Sequence, residues 1–364
     1  MLSTRALNRA LLARQWLLRR VRRAVPATIE HLVGLQAQNT PPPYIALWAR
    51  LEGFEAEQLS RLLLSRRAVR LALMRSTIHL VTARDCLALR PVVQPAVERN
   101  LMQSSPYGRR LAGVDLKALA AEGRALVEAE PTTTGELGKR LAARFTPADA
   151  EALGNGLRCF LPLVQLPPRG VWGQGGLARV TTAEAWLGRP LAAQPDLGAL
   201  ARRYLKAFGP ASAADLQNWS GVPLPACKQV LERLRPELRT FADQRGRELF
   251  DVARAPLPDA ETPAPPRFLP EYDNAFLGHA DRARIVAPQD APLIRVENGF
   301  VSPFLVDGFV RGTWKVERAK DAATLLVEPA RPLSRGDRAA VGEEARRLLA
   351  FLAPEARRRG VRFA

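Results

Sequence analysis

Two amides stand out in the run HLVGLQAQNTPPPYIALW, residues 31–48: Gln36 and Gln38. Ile29, Leu32, Val33 and Gln36 fall at i, i+3, i+4 and i+7, so a helical reading puts Gln36 on the face that packing would make apolar. Gln38 would then lie about 200° round the helix. The amides can converge only where the chain is extended, because residues i and i+2 share a face there. Pro41, Pro42 and Pro43 predict such an exit from the helix. Glutamine cannot act as a carboxylate base at neutral pH. Its carbonyl can accept from a water, and its amide nitrogen can orient that water or a backbone group. The chemistry open to the pair is therefore positioning. The alternative leaves Gln36 as a buried amide that satisfies a helix end, with Gln38 solvated.

Other polar residues could serve the same site. In MRSTIHLVT, Arg75, Ser76 and Thr77 fall at or just past a hairpin tip, and His79 lies on the next strand. They read either as contacts to phosphates and a groove or as a solvated turn with one half-buried histidine. In DGFVRGTWKVE, Arg311 and Lys315 are candidate phosphate contacts, while Trp314 reads as core. LPEYD holds Glu271 and Asp273. Asp273 could be a general base, but a structural hydrogen bond is the preferred reading. Arg202, Arg203 and Lys206 read as a solvated helix face.

The elements that must position these residues belong to a chain of 364 residues, long enough for two or three domains with real cores. Its hydrophobic content of 47% and charged content of 25% suit a globular protein, and no apolar run is long enough to predict a membrane span. The opening MLSTRALNRALLARQWLLRRVRR resembles a mitochondrial presequence or a basic surface helix. Because its pattern runs straight into the next helix, it is taken as part of the fold. Cys86, Cys159 and Cys227 are too far apart to predict a disulfide framework or a zinc site, and a reducing cytoplasm is expected.

The net charge is +18. Arginine outnumbers lysine 48 to 6, which codon bias alone could explain, but that does not explain basic over acidic. Residues 1–110 hold 18 arginines against 6 acids, a balance of +12; the rest of the chain, with 36 basic and 30 acidic residues, carries +6. Such asymmetry predicts a polyanionic partner, most simply nucleic acid.

One pattern recurs. LGALARRYLKAFG, AADLQNWSG and PLPACKQVLERL read as three helices, followed by the strands ELRTFA and RELFDVA about the turn DQRG. Three helices and a hairpin make a winged helix, an elaborated helix-turn-helix. The order returns over 115–182, with PADAEALGNGLRCFLPL as third helix, and more loosely over 4–82. The predicted fold is α+β and mainly helical: three tandem winged-helix modules and a C-terminal α+β segment. The boundaries are 1–112, with the glutamine motif, then 113–192, 193–254 and 255–364. The last segment opens with a Pro-rich connector. It includes the strand-and-turn run LIRVENGFVSPFLVDGFVRGTWKVE and ends in the helix RAAVGEEARRLLAFLA.

RALNRALLARQWLL, GLQAQNTPPPYIALWARL, LMRSTIHLVTARD, FGPASAADLQNWSG, LPEYDNAFLGHADR and VDGFVRGTWKV together resemble a bacterial family of winged-helix DNA glycosylases, typified by AlkZ and YcaQ, over essentially the full length. The Gln-apolar-Gln form is similar to the AlkZ branch; the YcaQ branch carries Asp at the second position. The resemblance implies three winged helices around a DNA channel and excision of bulky N7-alkylated purines, crosslinks included. It implies Gln36 and Gln38 as the water-positioning pair. Asn39, Tyr44, Arg75, Ser76, Thr77, His79, Arg311 and Lys315 become the expected DNA contacts. A monofunctional enzyme is expected because the pair offers no amine for a Schiff base, and a monomer because three modules can surround DNA without a partner; no metal or cofactor is expected, and the expected setting is the bacterial cytoplasm, at the nucleoid. Two other readings stay open: a winged-helix transcription factor, and a protein that sequesters the alkylator itself.

Overall fold

The structure, a computed structural model, describes residues 1–146, 148–296 and 299–364; for 293–296, 299 and 300 it describes the backbone course alone. Glu297 and Asn298, in the expected strand-and-turn run, and Pro147, at the start of an expected helix, lie outside the described residues. The fold is mixed and mainly helical, with 48% of residues in helix and 19% in strand.

The basic N-terminal run does fold inward. Ser3 caps the helix Thr4–Arg14 through its hydroxyl. Arg14 forms a fully buried ion pair with Asp251, at 2.6 Å, and Arg9 pairs with Asp307. This helix thus ties distant parts of the chain together.

The helix expected to carry Gln36 ends early. Val25–His31 is helical, and then Val33 and Gly34 take positive φ of 56° and 88°. Two features force the exit. Asn274 Nδ2 donates to the carbonyls of Leu32 (3.0 Å) and Gly34 (2.9 Å), so the terminal carbonyls are satisfied outside the helix. A Cβ on Gly34 would also lie 2.8 Å from Val81, so the chain passes there only as glycine. Leu35–Gln36 is therefore strand, not helix.

That strand, β1, joins β2 (Ala68–Ala72), β3 (Ile78–Thr82), β4 (Thr132–Thr133), β5 (Leu163–Gln165) and β6 (Arg179–Thr182). Their order in one antiparallel sheet is β1-β3-β2-β5-β6-β4. The sheet crosses the boundary placed between residues 112 and 113: β2 pairs with β5 through Arg70↔Gln165 and Leu71↔Val164. Sequence reading also missed the helix Ala83–Ser104, which holds Pro91 and Pro95 and is capped by Thr82.

Helices Leu197–Phe208, Ala213–Ser220 and Leu224–Leu234 precede a hairpin of Leu238–Ala242 and Glu248–Val252, the expected order. Ser212 and Asp215 form a capping box, and Gly221 ends the second helix at φ +80°. The C-terminal part is a five-stranded sheet, ordered Arg358–Phe363, Ala322–Pro329, Phe309–Ala319, Pro303–Val306 and Arg267–Phe268, against which Arg335–Leu352 packs as a helix. No helix among the described residues is long and apolar enough to cross a membrane.

Candidate active site

The glutamines sit on an extended run that continues β1. Gln36 is paired with His79, and the Ala37 N–H donates to the Ile78 carbonyl at 2.7 Å. Gln36 and Gln38 therefore project to one side, toward the tip of the β2–β3 hairpin. Gln36 is buried, and its Oε1 accepts from Arg75 Nη2 at 2.7 Å. Gln38 is exposed, and its Oε1 accepts from the Ile78 N–H at 3.3 Å. Each carbonyl keeps a second lone pair for a further donor.

The hairpin tip is built for this contact. Arg75 and Ser76 both take positive φ, 55° and 60°, which only strong surroundings maintain in non-glycine residues. The surroundings are the end of the helix Ala213–Ser220. Arg75 Nη1 donates to the Trp219 carbonyl, and a Cβ on Gly221 would lie 3.2 Å from the Arg75 nitrogen. Arg75 thus spans two units of the fold and fixes the Gln36 amide. Burial, then the nearby charge of Arg282, pushes its guanidinium down to about 10, so it stays cationic at neutral pH. The Thr77 hydroxyl donates to the Met74 carbonyl at 3.2 Å, and the Thr77 carbonyl meets His79 Nδ1 at 2.9 Å. Burial, with Arg75 beside it, drives His79 down to about 3, so its ring is neutral. The Ser76 hydroxyl is buried with no partner among the described residues.

A second arginine holds the motif from behind. Arg70, 2% exposed on β2, donates through Nη2 to the Ala37 carbonyl at 2.6 Å. Gly170, at φ +97°, packs so closely that a Cβ there would lie 2.8 Å from the Arg70 side chain. The Tyr44 hydroxyl donates to the Gly170 carbonyl at 2.7 Å and meets Ser60 Oγ at 3.1 Å. Tyr44, 1% exposed, therefore lies in the core behind the motif and not on the DNA-facing surface expected from its position.

Asn39 is exposed and bonded to Glu271. The two share a cleft of about 380 Å³ with Thr40, Pro41, Arg169 and Ser302. Asp273, the candidate general base, is committed elsewhere. Its carboxylate takes both Arg50 nitrogens, at 2.7 and 2.9 Å, with both side chains fully buried, and it caps the Ala275 N–H. Arg311 and Lys315 lie apart, on Phe309–Ala319 of the C-terminal sheet. Arg311 sits where the register with Pro303–Val306 shifts, a bulge that re-aims a side chain. Lys315 is exposed, 3.4 Å from Glu328. Trp314 is core, its Nε1 donating to the Leu269 carbonyl. Arg203 is not the solvated residue expected: it pairs with Asp85 at 2.5 Å and donates to the Glu30 carbonyl.

So the structure gathers Gln36, Gln38, Arg75, Ser76, Thr77 and His79 at one turn, with Asn39 beside them. Sequence reasoning missed Arg70, Trp219 and the tie from Glu271 to Asn39. An arginine inside the apolar strand run AVRLALM was the available signal for Arg70. Among the described residues, no group of three or more His, Cys, Asp or Glu side chains is placed to hold a metal ion.

The family model described as AlkZ-like, DNA glycosylase AlkZ-like, matches residues 29–351. Among solved structures, the Streptomyces sahachiroi DNA glycosylase AlkZ is similar over 100% of both chains, with a TM-score of 0.80 and 21% identity. At that identity the likeness is one of fold. No curated protein matches the chain.

Proposed function

We propose, from the premise that the chain belongs to the AlkZ-like DNA glycosylase family, that it hydrolyses the N-glycosidic bond of N7-alkylated purines in duplex DNA. The observation that carries this reading is the extended Gln36-Ala37-Gln38 run, with both amides turned to one side and Gln36 pinned by Arg75. Breaking an N-glycosidic bond normally needs help for the departing base and for the cation developing on the sugar. N7 alkylation already makes the purine cationic, so it departs without a protonating acid. What remains is a water held at C1′, and two amides fixed at their carbonyls supply that placement. Without a carboxylate base, the pair favours activated, cationic adducts over ordinary bases.

Arg75 acts on the reaction through Gln36. Asn39, Thr77, Arg311 and Lys315 are assigned to DNA contact; Ser76, whose hydroxyl is buried, His79 and Tyr44 are assigned to support. An enzyme acting on a base usually extrudes it. A bulky or crosslinked adduct resists extrusion, and the proposed channel between three winged-helix modules leaves it room. Bulky natural-product adducts and interstrand crosslinks are therefore the proposed substrates, and self-protection of a producing bacterium the proposed setting.

The test is base release from a duplex with one N7-methylguanine, and from one with a bulky N7 adduct. Expected are abasic sites that break only after alkali, since no amine in the motif forms a Schiff base. Tight, sequence-specific binding with no release from either duplex would refute the proposal.

A further inference from the structure

The basic run Arg19–Arg23 has no part in the chemistry above. It forms a wall of a cleft of about 820 Å³ that Glu52, Pro265, Arg267 and Arg347 complete. Six guanidinium groups belong to this cleft: Arg19, Arg20, Arg22, Arg23, Arg267 and Arg347. Two carboxylates answer them. Glu52 takes Arg22 at 2.9 Å. Glu344 is shared by Arg20 (2.6 Å), Arg267 (3.5 Å) and Arg347 (3.6 Å). Six positive charges less two negative leave a net charge of +4, and four of the six guanidinium groups share the two carboxylates.

The cleft has fixed parts. Arg20 lies over the Trp48 ring at 4.3 Å, donates to the Trp48 carbonyl at 3.0 Å, and is 11% exposed in its side chain. Arg267, 7% exposed, donates through Nη1 to the Pro266 carbonyl at 3.1 Å, and its Nε is buried without a partner among the described residues. Burial, then the like charge of Arg20, pushes Arg267 down to about 10. Arg19 and Arg23 are exposed and form no ion pair among the described residues.

We propose that this cleft binds phosphate groups, and that they are consecutive phosphates of a DNA strand at a distance from the lesion. Guanidinium forks match phosphate oxygens in pairs. A net charge of +4, with Arg19 and Arg23 exposed along the open wall, suits a repeating anion. The cleft lies at the C-terminal end of the helix Pro42–Arg50, where Arg20 holds Trp48, whereas Gln36–Asn39 precede its N-terminal end. Nine residues of helix rise about 13 Å, roughly four base pairs at 3.4 Å each. The site thus grips backbone beyond the nucleotides that meet the glutamines.

The test compares the full chain with Arg19→Ser/Arg23→Ser, using undamaged duplex so that base release plays no part. The slope of log Kobs against log salt concentration should fall by about 1 to 2, at about 0.9 per phosphate lost. Arg358→Ser/Arg359→Ser, exposed on the edge strand Arg358–Phe363 of the C-terminal sheet, should leave the slope unchanged. A second arm measures thermal stability with inorganic tripolyphosphate. A stabilisation lost in the arginine variant, with no change in the DNA slope, would keep the phosphate site and assign it to a free polyphosphate. No change in either arm overturns the proposal.

Discussion

Arg75→Ala tests the geometry of the site most sharply, because two assignments of Arg75 predict opposite results. As a direct phosphate contact, its loss would weaken binding. As the anchor of Gln36, its loss should slow the reaction. The guanidinium donates to Gln36 Oε1 at 2.7 Å and to the Trp219 carbonyl, and both acceptors are left without it in the variant. Hydrogen bonds to a charged donor are worth about 1.5–3 kcal/mol each. A reacting group displaced by about 1 Å loses about a hundredfold in rate, or ~2.7 kcal/mol. Base release under single turnover with saturating enzyme should therefore fall about a hundredfold, with Kd for the damaged duplex changed less than about threefold. Gln36→Ala should fall similarly. The double variant should be no slower than Gln36→Ala, a coupling near the top of the range of about 0.5–3 kcal/mol seen for residues in contact. A Kd raised tenfold with an unchanged saturated rate, or single effects that simply add, would refute the anchoring role.

Other outcomes follow from the same geometry. Gly170→Ala should displace Arg70 from the Ala37 carbonyl, since the new Cβ would lie 2.8 Å from its side chain; single-turnover release should drop at least tenfold, and an unchanged rate would remove Arg70 from the account. Arg50→Ala leaves Asp273 buried and unpaired, which should cost about 3–5 kcal/mol in urea unfolding. His79 has an ordinary value of 6.5 and is held at about 3 in the fold. Between those values the unfolded chain binds the extra proton, so His79 weakens the fold as pH drops below 6.5, by about 2 kcal/mol at pH 5. His79→Gln should shrink the difference in unfolding free energy between pH 7.5 and pH 5 by that amount, and an unchanged difference would show a ring free to protonate in the native state.

What the sequence made legible was local. The Ser212 cap and the Gly221 stop mark their helix because their partners lie within a few residues. Gln36 was conspicuous as an amide on an apolar face. Its true setting was hidden because the helix is ended by Asn274, 242 residues from Leu32 in sequence. The same distance problem misplaced Arg75, whose anchor Trp219 lies 144 residues on, and Tyr44, whose hydroxyl partner Gly170 lies 126 residues on. Residue type alone does not tell an arginine that meets DNA from one that meets a carbonyl. Pro91 and Pro95 hid the helix Ala83–Ser104, because isolated prolines ordinarily break that pattern. The sheet shared between the first two units is joined through β5, a strand of three residues, too short to carry a period.

The central claim is that two amides, without a carboxylate, place the water. The direct measurement is single-turnover release of N7-methylguanine by the wild type, Gln36→Ala and Gln38→Ala, with duplex affinity measured on the same samples. The account predicts at least a hundredfold loss of rate in each variant, with affinity nearly intact. Wild-type rates in both variants would place the chemistry elsewhere in the chain.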